Sequence, residues 1–270
     1  GCRKSNSIMI IGITRIRNEE EIIGATLDHI ASFVDGVVVF DDASTDKTVE
    51  VCQRHRLVRE VIRNTHWEPN SQERNIAEGN YRQQAYEAAL KYNPDWVYCF
   101  DADEYIELEP GIFERGSIGA YTFRLFDFYI TPNDVDAHYL NRDWMGPEYR
   151  DILMMFRPRL PGQSSLLPSN QEIKFYQRAP RLPASYAVAH GGYVKHYGKA
   201  ISVKHWDEAC EYYINNRGGD AFPLFRKKWL QRVGKAVHTR SDFNNKLIMW
   251  EDRFNKGIPL KDNQFLYDYQ

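Results

Sequence analysis

The chain has 270 residues, enough for one sizeable α/β domain with extensions or for two small ones. Its 35 Lys and Arg nearly balance 37 Asp and Glu, a formal net charge of −2, so nothing global advertises DNA, RNA or an acidic membrane surface as a partner. No apolar run approaches the roughly 18 residues that span a bilayer, and the opening GCRKSNSIMIIGI is too short in apolar character for a secretion signal. The expectation is a soluble cytoplasmic protein without a transmembrane segment; peripheral membrane association stays open. Four cysteines, at 2, 52, 99 and 210, form no CxxC pair, which reads as a reducing compartment and no structural zinc.

Ile8 to Ile13 is apolar throughout, as a central strand would be, and a polar segment, Thr14 to Glu19, follows it. Ile22, Ile23, Leu27, Ile30 and Ala31 then recur at helical spacing. Val37 to Phe40 is the next strand after the Asp35-Gly36 turn. It ends in Asp41-Asp42-Ala43-Ser44-Thr45-Asp46, where Ser44, Thr45 or Asp46 can cap a helix carrying Val49 and Cys52. Leu57 to Ile62 is a third strand. Residues 64 to 79 are polar and read as a loop, Tyr81 to Tyr92 reads as a helix closed by Pro94, and Val97 to Phe100 is a fourth strand. The resulting β-α-β-α-β-loop-α-β order favours right-handed crossovers and a largely parallel sheet.

The second half has a different texture. Ala120 to Tyr129 and Asp151 to Phe156 read as longer strands separated by a polar segment, 131 to 150. An aromatic and glycine-rich stretch runs from Tyr186 to Gly198, and the tail from Trp206 onward reads as helical in pieces, broken at Gly218-Gly219 and at Gly257 to Pro259. Apolar faces there are offered by Ala209, Tyr212, Tyr213, Phe225, Trp229, Leu230 and Val233. Trp144, Tyr193 and Trp206 are candidate platforms for a ring-shaped acceptor.

Three polar segments fall at the carboxyl ends of the expected parallel strands: Thr14 to Glu19, Asp41 to Asp46, and Asp101 to Glu104. That edge is where open α/β sheets bind ligands. Acids there can accept hydrogen bonds from a base or ribose, and a divalent ion bridging Asp103 and a diphosphate would neutralise a departing nucleotide. Arg82, ahead of the acidic turn, offers a fork suited to phosphate. A dehydrogenase fingerprint GxGxxG, a phosphate-binding GxxxxGK[ST] loop and a GxSxG elbow are all absent. So is the basic GxGxRxxP loop of a nucleotidyltransferase.

The ordered pieces ITRIRNEE, VVVFDDASTDKT, an arginine-bearing helix and YCFDADEY resemble, over about residues 8 to 107, the nucleotide-sugar-dependent glycosyltransferases of family 2. The resemblance implies an α/β GT-A fold: a Rossmann-like, mostly parallel central sheet flanked by helices, with a mixed second half and a helical C-terminal tail. It divides one catalytic domain into a nucleotide-sugar-binding half, 1 to 110, and an acceptor-binding half with the helical extension, 111 to 270. It implies a UDP-sugar donor, a saccharide acceptor, and Mn²⁺ or Mg²⁺. Thr14, Arg15, Arg17 and Glu19 would line the nucleotide, Asp42 would read the base with Asp41 nearby, and Arg82, Lys195 and Lys199 would meet the diphosphate. Asp101-Ala102-Asp103 resembles the family's DxD, with Asp101 and Asp103 as metal ligands and His196 completing the shell.

The chain departs from the family pattern in the second half. The acidic pair that precedes the acceptor helix in many inverting members is not evident, with Asp207-Glu208 a loose match, and Gln231-Arg232 lacks the tryptophan of a QxxRW segment. Asp103, Asp136, Glu172 and Asp207 are the catalytic candidates, and Asp134, Asp143 and Glu148 are further carboxylates that could serve as base. Inversion is the expected outcome; retention and a non-catalytic carbohydrate-binding protein of the same fold are the alternatives.

Overall fold

A computed structural model describes residues 8–68, 71–160, 172–216 and 223–260. Their backbone packs into two units, one of the described residues within 8–68, 72–123 and 152–192, the other of residue 71 and the described residues within 124–151 and 193–260.

The first unit opens with β1 (Ile10–Ile16), α1 (Ile23–Ile30), β2 (Gly36–Asp42), α2 (Thr48–Arg54) and β3 (Val58–Asn64). β1 and β2 are apolar and buried on both faces, the signature of central strands covered by helices. α1 buries Ile23, Leu27 and Ile30 completely. Each such side chain contributes about 2 kcal/mol of transfer free energy. The N-cap of α2 is Lys47, which makes no side-chain cap bond; of the candidate caps, Asp46, one residue earlier, accepts the Thr48 amide at Oδ1 at 3.0 Å.

The expected loop over 64–79 is overturned in its second part. α3 runs Ser71–Leu90, ten residues earlier than Tyr81. The stretch SQERNIAEGN has no apolar face for periodicity to reveal. Its helix is held instead by contacts such as Arg74, buried, with its guanidinium 4.9 Å from the Trp67 ring.

β4 (Trp96–Cys99) follows, then β5 (Glu104–Leu108), which begins at the last acid of the expected 101–104 segment and whose first three residues are buried. Next come β6 (Ala120–Phe128), β7 (Trp144–Phe156), the two-residue strands β8 (Lys174–Phe175) and β9 (Pro180–Arg181), and β10 (Val188–His196). The sheet order is β3-β2-β1-β4-β7-β6-β10-β5. β1 pairs in parallel with β2 and β4, β2 with β3, while β7 joins β4 antiparallel through Phe156 and Met155 opposite Val97 and Tyr98. One core cluster packs Ile11, Ile13, Val38, Phe40 and Val97 against Ala85, Tyr86 and Ala89 of α3. Cys52 and Cys99 are buried thiols, as expected.

The second unit holds residues 124–128 of β6, 144–151 of β7 and 193–196 of β10. It adds α4 (Val203–Asn216), α5 (Pro223–Arg232), β11 (Ile248–Met249), α6 (Arg253–Lys256) and β12 (Ile258–Pro259). The strand expected to begin at Asp151 starts seven residues earlier. β11 pairs with Met145 and Trp144, and β12 with Glu148 and Tyr149, so residues 144–149 extend despite Gly146 and Pro147. Arg142 is buried here and donates from Nε to the Ala200 carbonyl at 2.7 Å and from Nη1 to Asp134 Oδ1 at 3.1 Å. The tail is helical in pieces, yet Leu230 and Val233, expected on its apolar face, are exposed. Gly218-Gly219 lies outside the described residues, as does the side chain of Phe225. Among the described residues, no helix is long and apolar enough to cross a membrane.

Candidate active site at the strand ends

β1, β2 and β4 run in parallel register, so the segments that leave them emerge on one edge of the sheet. The first two segments are laced together. Asn18 donates its amide to Ser44 Oγ at 2.9 Å and accepts the Thr45 amide at 2.9 Å, while the Glu19 amide donates to Thr48 Oγ1 at 2.7 Å. Both turn on residues with positive φ, Asn18 at 53° and Ala43 at 56°. Asn visits that region readily; for Ala43 it is a strain of order 1 kcal/mol at a loop the surroundings over-determine.

Arg15 pairs with Asp42 Oδ2, and Asn64 Nδ2 donates to Asp42 Oδ1 at 3.0 Å. Arg17 donates to the Asp42 carbonyl at 2.8 Å, and its guanidinium lies 3.7 Å from the Trp67 ring centroid. Asp41 is buried and turns inward, taking the Ser44 amide at 3.3 Å and the Arg63 Nε at 3.3 Å. It therefore shapes the turn, while Asp42 orients the basic side chains above it. Thr14 is buried, and its hydroxyl has no hydrogen-bond partner among the described residues.

The third segment carries two arginines on one carboxylate. Arg82 Nη2 donates to Asp101 Oδ1 at 2.6 Å, and Arg178 Nε donates to Asp101 Oδ2 at 3.1 Å. Arg178 Nη2 also binds the buried Glu104, whose Oε2 accepts the Asp101 amide at 3.0 Å. Burial pushes the Asp101 carboxyl up, but the two guanidiniums outweigh it and hold the group well below the usual carboxylate range. Glu19 behaves oppositely. Its burial, then the charge of Asp103, then that of Asp101, hold its carboxyl well above the usual range. That repulsion shows Glu19, Asp103 and Asp101 sharing one electrostatic neighbourhood.

Both oxygens of Asp101 are thus committed to arginine, and among the described residues no group of three or more His, Cys, Asp or Glu is arranged around an ion position. The fit to a divalent cation rests on Asp103, half-exposed beside Glu19, since Mg²⁺-type ions need only one or two carboxylates when substrate phosphates supply further oxygens. Asp101 fits as a carboxylate that positions arginine.

His196, Lys195, Lys199, Asp136 and Asp207 belong to the second unit. His196 Nδ1 donates to Asp127 Oδ1 at 2.5 Å, which leaves the lone pair of the neutral ring on Nε2. Lys199 lies between Asp127 Oδ2 at 2.7 Å and Asp242 Oδ2 at 2.5 Å, and Arg232 reaches Asp242 at 2.5 Å. Burial pushes the Asp242 carboxyl up, but Lys199 and Arg232 bring it down to about 2. Lys195 sits 5.1 Å from the Trp250 ring.

Asp207 accepts the Gly234 amide at 2.8 Å, Asp136 and Asp143 are exposed, and Asp134 and Glu148 are engaged by Arg142 and by Ser241 with Asn245. Glu172, in the first unit, is exposed and 3.6 Å from Lys174. Of the candidate platforms, Trp206 is buried with its Nε1 on the Arg232 carbonyl, whereas Tyr193 and Trp144 are half-buried. Arg178, Asp127 and Asp242 escape sequence reading: each lies far along the chain from its partner, in no motif.

Comparison with known proteins bears on the first unit. Residues 13–109 match the model of glycosyl transferase family 2. Two curated relatives, the uncharacterized protein Rv3786c of Mycobacterium tuberculosis and the uncharacterized protein Mb3815c of Mycobacterium bovis, are each 32% identical over 152 residues, 53% of this chain. The chain spans 33% of the length of each. Among solved structures, Staphylococcus aureus TarS 1-349 in complex with UDP aligns at a TM-score of 0.37 with 16% identity, over 83% of this chain and 71% of that one. Mannosyl-3-phosphoglycerate synthase from Rubrobacter xylanophilus aligns at 0.31 with 19% identity, over 49% and 44%. Residues 13–109, which hold most of the parallel β3-β2-β1-β4 portion of the mixed α/β sheet, are thus similar to the family 2 glycosyltransferases.

Proposed function

We propose that the chain transfers a sugar from a UDP-sugar to a hydroxyl of a saccharide acceptor, with inversion at the anomeric carbon. The observation that carries this reading is the gathering of Arg15 with Asp42, and of Arg82 with Asp101, at the carboxyl ends of adjacent parallel strands inside the family 2 segment. Asp42 reads the uracil edge, and Arg15 and Arg17, held by it, line the nucleotide. Arg82 holds the diphosphate with the geometry of a planar fork. Mn²⁺ or Mg²⁺, when bound, adds positive charge that stabilises the departing diphosphate. Asp103 would hold that ion, with Glu19 beside it. A carboxylate accepts the proton of the acceptor hydroxyl as the new bond forms, and the solvent-exposed Asp136 and Glu172 are accessible to one; Asp207, whose Oδ1 takes a backbone amide, is less so.

A nucleotide-release assay with UDP-, GDP- and dTDP-sugars and saccharide acceptors, with and without Mn²⁺, tests the reading. UDP release that needs the ion and drops sharply in Asp103→Asn is the expected result. Near-normal turnover by that variant removes Asp103 from the metal site, and no release from any donor defeats the transferase reading. The anomeric proton signal of the product, read by NMR, reports inversion or contradicts it.

A further inference from the structure

Arg178 is a residue that no motif points to, yet the first unit is built to deliver it to the acidic turn. It lies between the two-residue strands β8 and β9, which pair through Lys174 with Arg181 and Phe175 with Pro180. That hairpin is fastened to α3 and β4. The Phe175 amide donates to Gln83 Oε1 at 3.1 Å, the Cys99 thiol donates to the Arg178 carbonyl at 3.4 Å, and Tyr86 packs its ring 5.9 Å from that of Phe175. At Gly79 the helix comes so near that a Cβ would stand 2.7 Å from the backbone carbon and oxygen of Tyr176. A loop anchored this way presents its arginine without a large ordering cost on binding.

The guanidinium itself is only partly used. Its side edge is spent on acids, Nε on Asp101 at 3.1 Å and Nη2 on Glu104. Nη1 is buried and has no hydrogen-bond partner among the described residues, and the same holds for Nε of Arg82, the other arginine on Asp101. Buried, ionised donors left unmatched are costly, and two of them around one carboxylate are open to a ligand's acceptors. About 20% of the Arg178 side chain is exposed, so a solute can reach it. The ligand chemistry is anionic and oxygen-rich, since a planar guanidinium matches a phosphoryl group as it does a carboxylate.

We propose that Arg178 is a ligand of the diphosphate of the nucleotide donor, acting beside Arg82, and that Asp101 and Glu104 hold its guanidinium aimed for that contact. This rests on the donor reading above. Arg178 binds the diphosphate whether or not a divalent ion is present, so part of the nucleotide affinity survives chelation of metal.

The test is calorimetric titration of the whole chain with UDP, inorganic pyrophosphate and uridine, each with Mn²⁺ and again with EDTA. Wild type, Arg178→Lys and Arg178→Gln are compared, with thermal unfolding of each recorded alongside. Lys keeps the charge opposite Glu104, so that variant stays folded even if Gln does not. The expected result is a loss of tenfold or more in affinity for UDP and pyrophosphate in Arg178→Lys, in EDTA as well as Mn²⁺, with uridine unchanged. Equal losses for UDP and uridine mark a merely structural arginine and overturn the proposal. Wild-type binding of UDP by both variants overturns it too while sparing the donor reading. Failure of the wild type itself to bind UDP or pyrophosphate overturns both.

Discussion

Two glycines in helices of the first unit should respond to alanine with opposite signs. In water-exposed helices Gly→Ala gains about 1 kcal/mol because glycine loses more backbone entropy on folding. Gly24 in α1 has room for the change: its Cβ would meet Val51 Cγ1 at 3.5 Å, an ordinary contact. Gly79 in α3 has none, since its Cβ would lie 2.7 Å from the Tyr176 carbonyl atoms and 2.9 Å from the Phe175 oxygen, all backbone. Relief to an ordinary contact near 3.4 Å needs a retreat of about 0.7 Å, and overpacking on that scale costs about 1–3 kcal/mol. Set against the propensity gain, Gly79→Ala loses about 1 kcal/mol, whereas Gly24→Ala gains a little less than 1. For a chain of this size that is a Tm lowered by about 2–4 °C in one variant and raised by a similar amount in the other. The same retreat carries Arg178 Nε, now 3.1 Å from Asp101, beyond hydrogen-bond range. Thermal unfolding followed by circular dichroism reads the pair directly. A Gly79→Ala variant as stable as Gly24→Ala would refute the argument that α3 touches the hairpin backbone there.

Other variants probe the remaining links. Arg142→Ala should cost about 3 kcal/mol in urea unfolding, because it strips Asp134 of its buried partner and leaves the Ala200 carbonyl unmatched; a loss under 1 kcal/mol contradicts that. Asp242 has a folded pKa of about 2 against an ordinary value of 3.8, so the unfolded chain takes the proton first. Its contribution, on the order of 2 kcal/mol, is complete above about pH 4 and is lost as pH falls toward 2. Asp242→Asn should flatten that acid limb, and an unchanged limb would locate the effect elsewhere. Asp42→Ala should weaken nucleotide binding by releasing Arg15 and Asn64 while leaving the sheet intact, measured as affinity against Tm. Unchanged affinity removes Asp42 from the nucleotide pocket.

The sheet was readable because its central strands are continuous apolar runs that end in polar clusters, a pattern only burial on both faces requires. The places of Asp42 at a strand end and of Arg82 on the helix ahead of the acidic turn followed from local spacing, whereas their pairing with Arg15 and Asp101 did not. The first turns of α3 were not readable, because SQERNIAEGN carries Ile76 and Ala77 but no apolar stripe, and its buried side chains include Arg74 while Ile76 is exposed. β7 was read short since Gly146 and Pro147 imitate a turn, while its partners β11 and β12 come from about a hundred residues further on. At the site the limit was distance along the chain. Arg178 meets Asp101 across 77 residues, and Asp127 meets His196 across 69, separations at which no local pattern signals a pair.

The measurement that tests the central claim most directly is calorimetric titration of UDP, GDP and dTDP into the protein, each with and without Mn²⁺. Binding of UDP in the micromolar range that is much tighter with the ion, and weakened when Asp42 or Asp103 is replaced, is the predicted result. A folded protein that binds none of the three, or binds one with no dependence on Asp42, Asp103 or metal, would contradict a nucleotide-sugar site at these strand ends.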